Sequence, residues 1–170
     1  AGNIGDPQVR HRGTIGGSVA NNDPAADYPA AMLALGATIT TNKRQIPADE
    51  FFSGLFMTVL EPGELILAIG IPLPQQAAYE KFEQRASRYA LVGVCVAKSA
   101  GGVRVTVTGA GADGVFRADG VEAALNADFS PAAARGVQVS ADGMLADIHG
   151  GADYRAALIP ELAARAVERC

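Results

Sequence analysis

The sequence predicts an α+β fold. Two apolar, β-rich runs at residues 90–98 and 103–109 can pair with each other, helix-forming segments follow them, and a Gly-rich first part ends at a proline pair, Pro72 and Pro74. A hairpin followed by helices places those helices on one face of an antiparallel sheet. Hydrophobic residues make up 49% of the 170 positions and charged residues 19%, so the chain can bury a core and general disorder is excluded. A net charge of −4 without a Lys/Arg run argues against a nucleic-acid surface. No apolar run approaches the roughly 20 residues that a membrane helix needs. The only cysteines are Cys95 and Cys170, with no Cys-x-x-Cys pair, which speaks against a disulfide scaffold or a zinc site and for a reducing cytoplasm.

Taken in order, the first third reads as Gly-rich loop up to a short apolar helix at residues 29–35, closed by Gly36. Residues 37–41 are β-branched and alternating, hence a strand; Asn42, Lys43 and Arg44 turn it into a short return strand at 44–47. The near-helical spacing of Phe51, Phe52, Leu55 and Phe56 suits a core edge, and 64–72 reads as a mostly buried strand. Pro72, Pro74, Gln75 and Gln76 form the best linker, dividing the chain into residues 1–74 and 75–170. In the second unit, 79–82 reads as a strand, 90–98 and 103–109 as a hairpin, and Phe116 as part of a third strand. Short helices are predicted at 119–125 and 131–136, and a longer one at 153–168 with Asp153 as N-cap, which Pro160 should kink or split.

Chemistry concentrates in Thr14, Ile15, Gly16, Gly17 and Ser18. A turn of this composition can form a nest of backbone N–H groups for a pyrophosphate, although Gly-Gly pairs are more often structural. The run has neither the Gly-Lys-Ser/Thr ending of a Walker loop nor the Gly-x-Gly-x-x-Gly of a nicotinamide site. Asp23 and Asp27 suit turns and helix caps more often than ligands. Asp147, His149 and Asp153 invite a metal reading, but hydrogen bonding within a loop is the commoner use of such a set, and no metal site is assigned. Cys95 falls mid-strand and should be buried and inert. His11 reads as a surface residue beside Arg10 and Arg12.

The wider pattern is more specific. Arg12 to Ser18, then Ala20, Asp23-Pro24-Ala25-Ala26-Asp27 and Pro29-Ala30, resembles the second flavin motif of the molybdenum hydroxylase flavoproteins, nearest to the medium, FAD-binding subunits of aerobic carbon monoxide dehydrogenases. Glu80-Lys81-Phe82 with Arg85, the run Ala90 to Val94, and Asp147 to Arg155 resemble the C-terminal domain of the same subunits. This resemblance implies the second lobe of a two-lobed FAD-binding domain at 1–74 and an antiparallel-sheet-plus-helices C-terminal domain at 75–170. It implies that Thr14, Ile15, Gly16, Gly17 and Ser18 meet the FAD pyrophosphate and ribityl region. Asp27 would accept a hydrogen bond from the flavin, Leu65 would lie along the cofactor, Lys81 would reach its polar edge, and Ile4 would pack near its rings.

Family members begin with a further lobe carrying an Ala-Gly-Gly-x-Ser motif, absent here, so the resemblance implies half a flavin site and a chain inactive by itself. The implied role is electron transfer, from the [2Fe-2S] clusters of a small subunit to an external acceptor. A large partner subunit would hold the molybdenum cofactor and choose the substrate, and no residue of this chain acts as a catalytic base. The alternative is a docking module that binds partner subunits without FAD.

Overall fold

In the computed structural model, which describes residues 2 and 4–170, the chain opens with helices where a loop was predicted. Helix α1 is Pro7–Arg12 and helix α2 is Ile15–Asn21. Each has a start signal that the glycines obscured. Asp6 caps α1 by accepting the Gln8 N–H at 2.7 Å, with Pro7 in the first turn, where its missing N–H costs nothing. Thr14 caps α2 by accepting the Gly17 N–H at 2.9 Å. Asn22 ends α2 in the left-handed conformation (φ 45°), and its side-chain amide donates to the carbonyls of Gly54 and Met57.

Helix α3 spans Asp27–Ala34, two residues earlier than predicted, and closes as expected at Gly36. That residue takes φ +60° while Ala37 N–H reaches back to the Met32 carbonyl, a left-handed helix end for which glycine is suited. Strands β1 (Thr38–Thr41) and β2 (Gln45–Pro47) form the predicted antiparallel turn-back, followed by helix α4 (Ala48–Phe51) and a small hairpin of β3 (Phe52–Gly54) and β4 (Met57–Thr58). Of the four residues read as a core edge, Phe51 is buried and Phe52 half-buried, whereas Leu55 and Phe56 are exposed. The hairpin turn, with Phe56 at φ 53°, carries them away from the core.

Strand β5 (Ile66–Gly70) is shorter and more exposed than expected. It forms one edge of the sheet β2-β1-β5, so Ile66 and Ile69 reach the core beneath while Leu65 and Leu67 face out, 65% and 67% exposed.

The second sheet has the order β6-β7-β8-β9, with β6 at Gln76–Glu83, β7 at Ala90–Ser99, β8 at Gly102–Thr108 and β9 at Phe116–Arg117. Gln75 and Gln76, read as linker, join its ladder: Gln75 N–H donates to Lys98. Strand β7 is buried from Ala90 to Ala97 because both faces are covered. Val92, Val94 and Val96 pack under helices α5 (Asp119–Ala127), α6 (Pro131–Arg135) and α7 (Ala152–Glu168), whereas Cys95 and Ala97 pack against Ala30 and Ala34 of α3. The period of two along a strand sends alternate residues to these two layers.

Helix α7 runs unbroken through Pro160. Ala156, Ile159, Leu162 and Ala163 are buried on both sides of the proline and hold the helix to the sheet. Its N-cap is Gly151, and Asp153 lies in its first turn instead of capping it. Among the described residues no helix is long and apolar enough to cross a membrane.

Helix α3 sits on β7 and β8, across the predicted boundary. Thr106 Oγ1 donates to the Ala30 carbonyl at 2.7 Å, and Thr108 Oγ1 bridges the carbonyls of Pro24 and Ala26, both at 2.8 Å. Arg104 reaches the Leu33 carbonyl and Asp49.

Candidate functional site: a cavity between the first helices and the second sheet

A cavity of about 680 Å³ opens where α1, α2 and the start of α3 face β6 and the loop that follows it. Thr14, Ile15, Gly17, Ser18, Asp27 and Lys81 all border it, as does Ile4. Two predicted residues do not. The Gly16 position turns toward β5, where an added Cβ would lie 3.8 Å from the Ile66 side chain. Leu65 lies outside the lining, held by Asn42, which donates to its carbonyl and accepts its N–H.

The Thr14–Ser18 run is the start of a capped helix, not a nest. Gly17 N–H is committed to Thr14 Oγ1 and Ser18 N–H to the Thr14 carbonyl. Helix geometry leaves the N–H groups of Ile15 and Gly16 without intrahelical partners, and the hydroxyls of Thr14 and Ser18 stand at the cavity border.

Asp27 is held from β6. Tyr79 donates its hydroxyl to Asp27 Oδ1 at 2.5 Å and Lys81 Nζ donates to Oδ2 at 3.2 Å. Residues two apart on a strand share a face, so Tyr79 and Lys81 arrive together. Gly93 on β7 makes room for them, since a Cβ there would fall 2.3 Å from the Tyr79 hydroxyl oxygen. The Lys81 side chain is only 7% exposed and that of Asp27 18%, so this lysine is a buried partner and not a solvated one. Burial, reinforced by the Asp27 carboxylate, pushes the Tyr79 phenol well above its ordinary value and keeps it a neutral donor.

The sequence reading assigned no role to Arg10, Arg12, Arg88 or Tyr89, which also border the cavity. The arginines look like ordinary surface charge until α1 and the 84–89 loop bring them together. Asp147 and His149 lie apart from this cavity. The Asp147 carboxylate accepts the N–H groups of His149 and Gly150 and pairs with Arg155 at 2.8 Å, the loop hydrogen bonding anticipated for it.

The donor set suits an anionic, partly aromatic ligand. The guanidinium groups of Arg10, Arg12 and Arg88, the hydroxyls of Thr14 and Ser18 and backbone bared by glycine match phosphate oxygens, Asp27 offers an acceptor, and Ile4, Val9 and Tyr89 offer apolar surface.

These features fit a flavin-binding class of domain. Residues 1–74 match the family described as the FAD binding domain in molybdopterin dehydrogenase. The chain is 34% identical to the carbon monoxide dehydrogenase medium chain of Hydrogenophaga pseudoflava, over 96% of its own length and 62% of that protein. It is equally similar to the nicotine 6-hydroxylase medium subunit of Paenarthrobacter nicotinovorans, at 34% identity over 96% and 62%. Among solved structures, carbon monoxide dehydrogenase from Hydrogenophaga pseudoflava superimposes with a TM-score of 0.81 at 34% identity, over 97% of this chain and 63% of that one. Quinoline 2-oxidoreductase from Pseudomonas putida 86 superimposes with a TM-score of 0.80 at 28% identity, over 98% and 63%. The chain thus spans a little under two thirds of the length of the curated relatives it matches.

Proposed function

We propose that the chain is part of the FAD-binding medium subunit of a molybdenum hydroxylase, and that the cavity contributes one wall of its flavin site. Support comes from the convergence of Thr14, Gly17 and Ser18 from one end of the chain with Asp27 and Lys81 on a single cavity. When bound, a flavin supplies a redox centre that handles electrons singly or in pairs. The residues of this chain bind and orient it. Thr14, Ser18, Arg10 and Arg12 face the phosphates, and Gly17 lets them approach the backbone. Asp27, fixed by Tyr79 and Lys81, presents an oriented carboxylate to a flavin donor. In this reading a large molybdenum-binding subunit and a small iron–sulfur subunit are the partners, and electrons pass from the latter through the flavin to an external acceptor.

The test is a titration with FAD, taken to high concentration and followed by flavin fluorescence. The chain should give weak, saturable quenching. Gly17→Val places a branched side chain beside Thr14 Oγ1, which an added Cβ already meets at 3.0 Å, and should weaken binding at least ten-fold with a Tm loss no larger than that of one strained helix cap. Gly16→Ala, which faces Ile66 with room for a methyl group, should leave binding intact. Unsaturable quenching, or equal affinity in the parent and Gly17→Val, would refute the assignment.

A further inference from the structure

We infer that Arg155 is a positioning residue for the cavity, one buried guanidinium that fixes the segments forming two of its walls. Arg155 sits in the first turns of α7 and is 3% exposed, yet Asp147, its acidic partner, has a side chain 46% exposed. Most of its fork goes to carbonyl groups. Nη1 donates to Leu91 at 2.8 Å and Gly109 at 2.7 Å, Nε donates to Gly150 at 3.3 Å, and Nη2 alone reaches Asp147.

The first wall hangs from Gly109. Its N–H donates to the Pro24 carbonyl at 2.7 Å, beside the Thr108 hydroxyl, whose one proton is shared between the carbonyls of Pro24 and Ala26, so the segment leading to Asp27 is suspended from the residue that Arg155 grips. The two strands converge here so closely that a Cβ at Gly109, whose φ is +82°, would lie 2.6 Å from the Ala90 carbonyl oxygen and 2.7 Å from that of Leu91. A delocalised cation between the Leu91 and Gly109 carbonyls holds dipoles that would otherwise repel, and its planar fork is what a lysine cannot reproduce.

The second wall is reached through Asp147. Its Oδ1 accepts the N–H groups of His149 and Gly150, which sets the turn so that His149 Nδ1 lies 3.0 Å from Gln84 Nε2. Gln84 Oε1 accepts the Ala86 N–H at 2.7 Å, so its amide nitrogen faces the ring and His149 accepts. Gln84 also organises the 84–89 loop with its backbone, accepting from Arg88 at 2.7 Å and donating to Tyr89 at 2.9 Å. That loop carries Ser87, Arg88 and Tyr89 to the cavity. Arg155 itself does not border the cavity and acts through these residues.

The inference rests on the flavin reading only in taking this cavity as the functional one. The test is residue-resolved amide exchange by NMR on the full chain carrying Asp147→Asn, His149→Ala or Arg155→Lys, with FAD titrations of each. Asp147→Asn and His149→Ala, both at exposed side chains, should raise exchange at Ala86 and Arg88 about five-fold, the scale of one lost hydrogen bond. Exchange at Val94 and Val96 should stay unchanged. Arg155→Lys should add faster exchange at Gly109. FAD affinity should fall about three- to five-fold in Asp147→Asn while the chain still unfolds cooperatively. Unchanged exchange at Ala86 and Arg88 overturns the inference, as does a uniform rise that includes Val94 and Val96, or local loosening with undiminished FAD affinity. If Arg155→Lys does not fold, the other two variants decide. Absence of quenching by the parent chain sinks the flavin reading instead, and the exchange pattern still decides the positioning role.

Discussion

Glu64 shows how a single carboxylate organises a loop. It accepts from Arg44 through both oxygens, at 3.1 Å each, from Thr41 Oγ1 at 2.7 Å and from the Glu61 N–H at 2.8 Å. The Arg44 hydrogen bonds foremost, then those of Glu61 and Thr41, hold its carboxyl down to about 2 from an ordinary 4.5. A carboxyl depressed in the folded state stabilises fully above its unfolded value, and that contribution disappears as pH falls through the folded one. Thermal unfolding of the parent should therefore lose stability between about pH 4.5 and pH 2. Glu64→Gln should lower Tm at neutral pH and flatten this acid limb, and an unchanged acid limb would contradict the assignment. Tyr79→Phe addresses the site directly. It removes one donor from a mostly buried carboxylate while keeping the ring, which should cost about 1.5–3 kcal/mol in denaturant unfolding. Asp27 and Lys81 could each be read as candidates by resemblance, but their pairing and the Tyr79 hydroxyl could not, because β6 is brought to α3 only by tertiary packing.

Pro160 tests the energetics of an element. A proline inside a helix costs ~3 kcal/mol relative to alanine, and its restriction of the unfolded chain returns ~1 kcal/mol. Pro160→Ala should then stabilise the chain by about 1–2 kcal/mol in chemical denaturation, and a destabilised variant would mean that the ring is needed for packing. The same helix shows what was legible. Its extent was legible, whereas its continuity through Pro160 depends on Ala156, Ile159, Leu162 and Ala163 being pinned to the sheet. The β7–β8 hairpin was legible because both strands are apolar and adjacent in the chain. Helices α1 and α2 were hidden because Asp6-Pro7 and Thr14 are cap signals set among glycines that suggested loop. The exposure of Leu65 and Leu67 was hidden too, because an apolar run does not reveal that its strand lies at a sheet edge.

At the scale of the whole molecule, we propose that residues 75–170 fold without the first unit. One sheet face is covered by α5, α6 and α7, and the face toward α3 carries the small or polar residues Gly93, Cys95, Ala97, Thr106 and Thr108, which tolerate water better than a valine layer. Cys95 reports on this. In the whole chain it is 4% exposed, and burial, with Cys170 nearby, pushes its thiol up to about 12. The 75–170 segment should unfold cooperatively by circular dichroism and react with a thiol reagent at Cys95 as well as Cys170, whereas the intact chain should react at Cys170 alone. Loss of cooperative unfolding would show that α3 is part of one indivisible core.

The seating of α3 on β7 and β8 also sets an order in time. Its anchor bonds join residues 76 and 84 positions apart, Thr106 to Ala30 and Thr108 to Pro24. During synthesis the helix therefore leaves the ribosome long before its seat exists, with Ala30 and Ala34 still uncovered. Contacts of such long sequence separation form late, because the loop-closure entropy must be met before the contacts return it. Refolding should accordingly show a fast phase for the hairpin and a slower one for α3 docking. In the interval this apolar helix is the segment a chaperone would find.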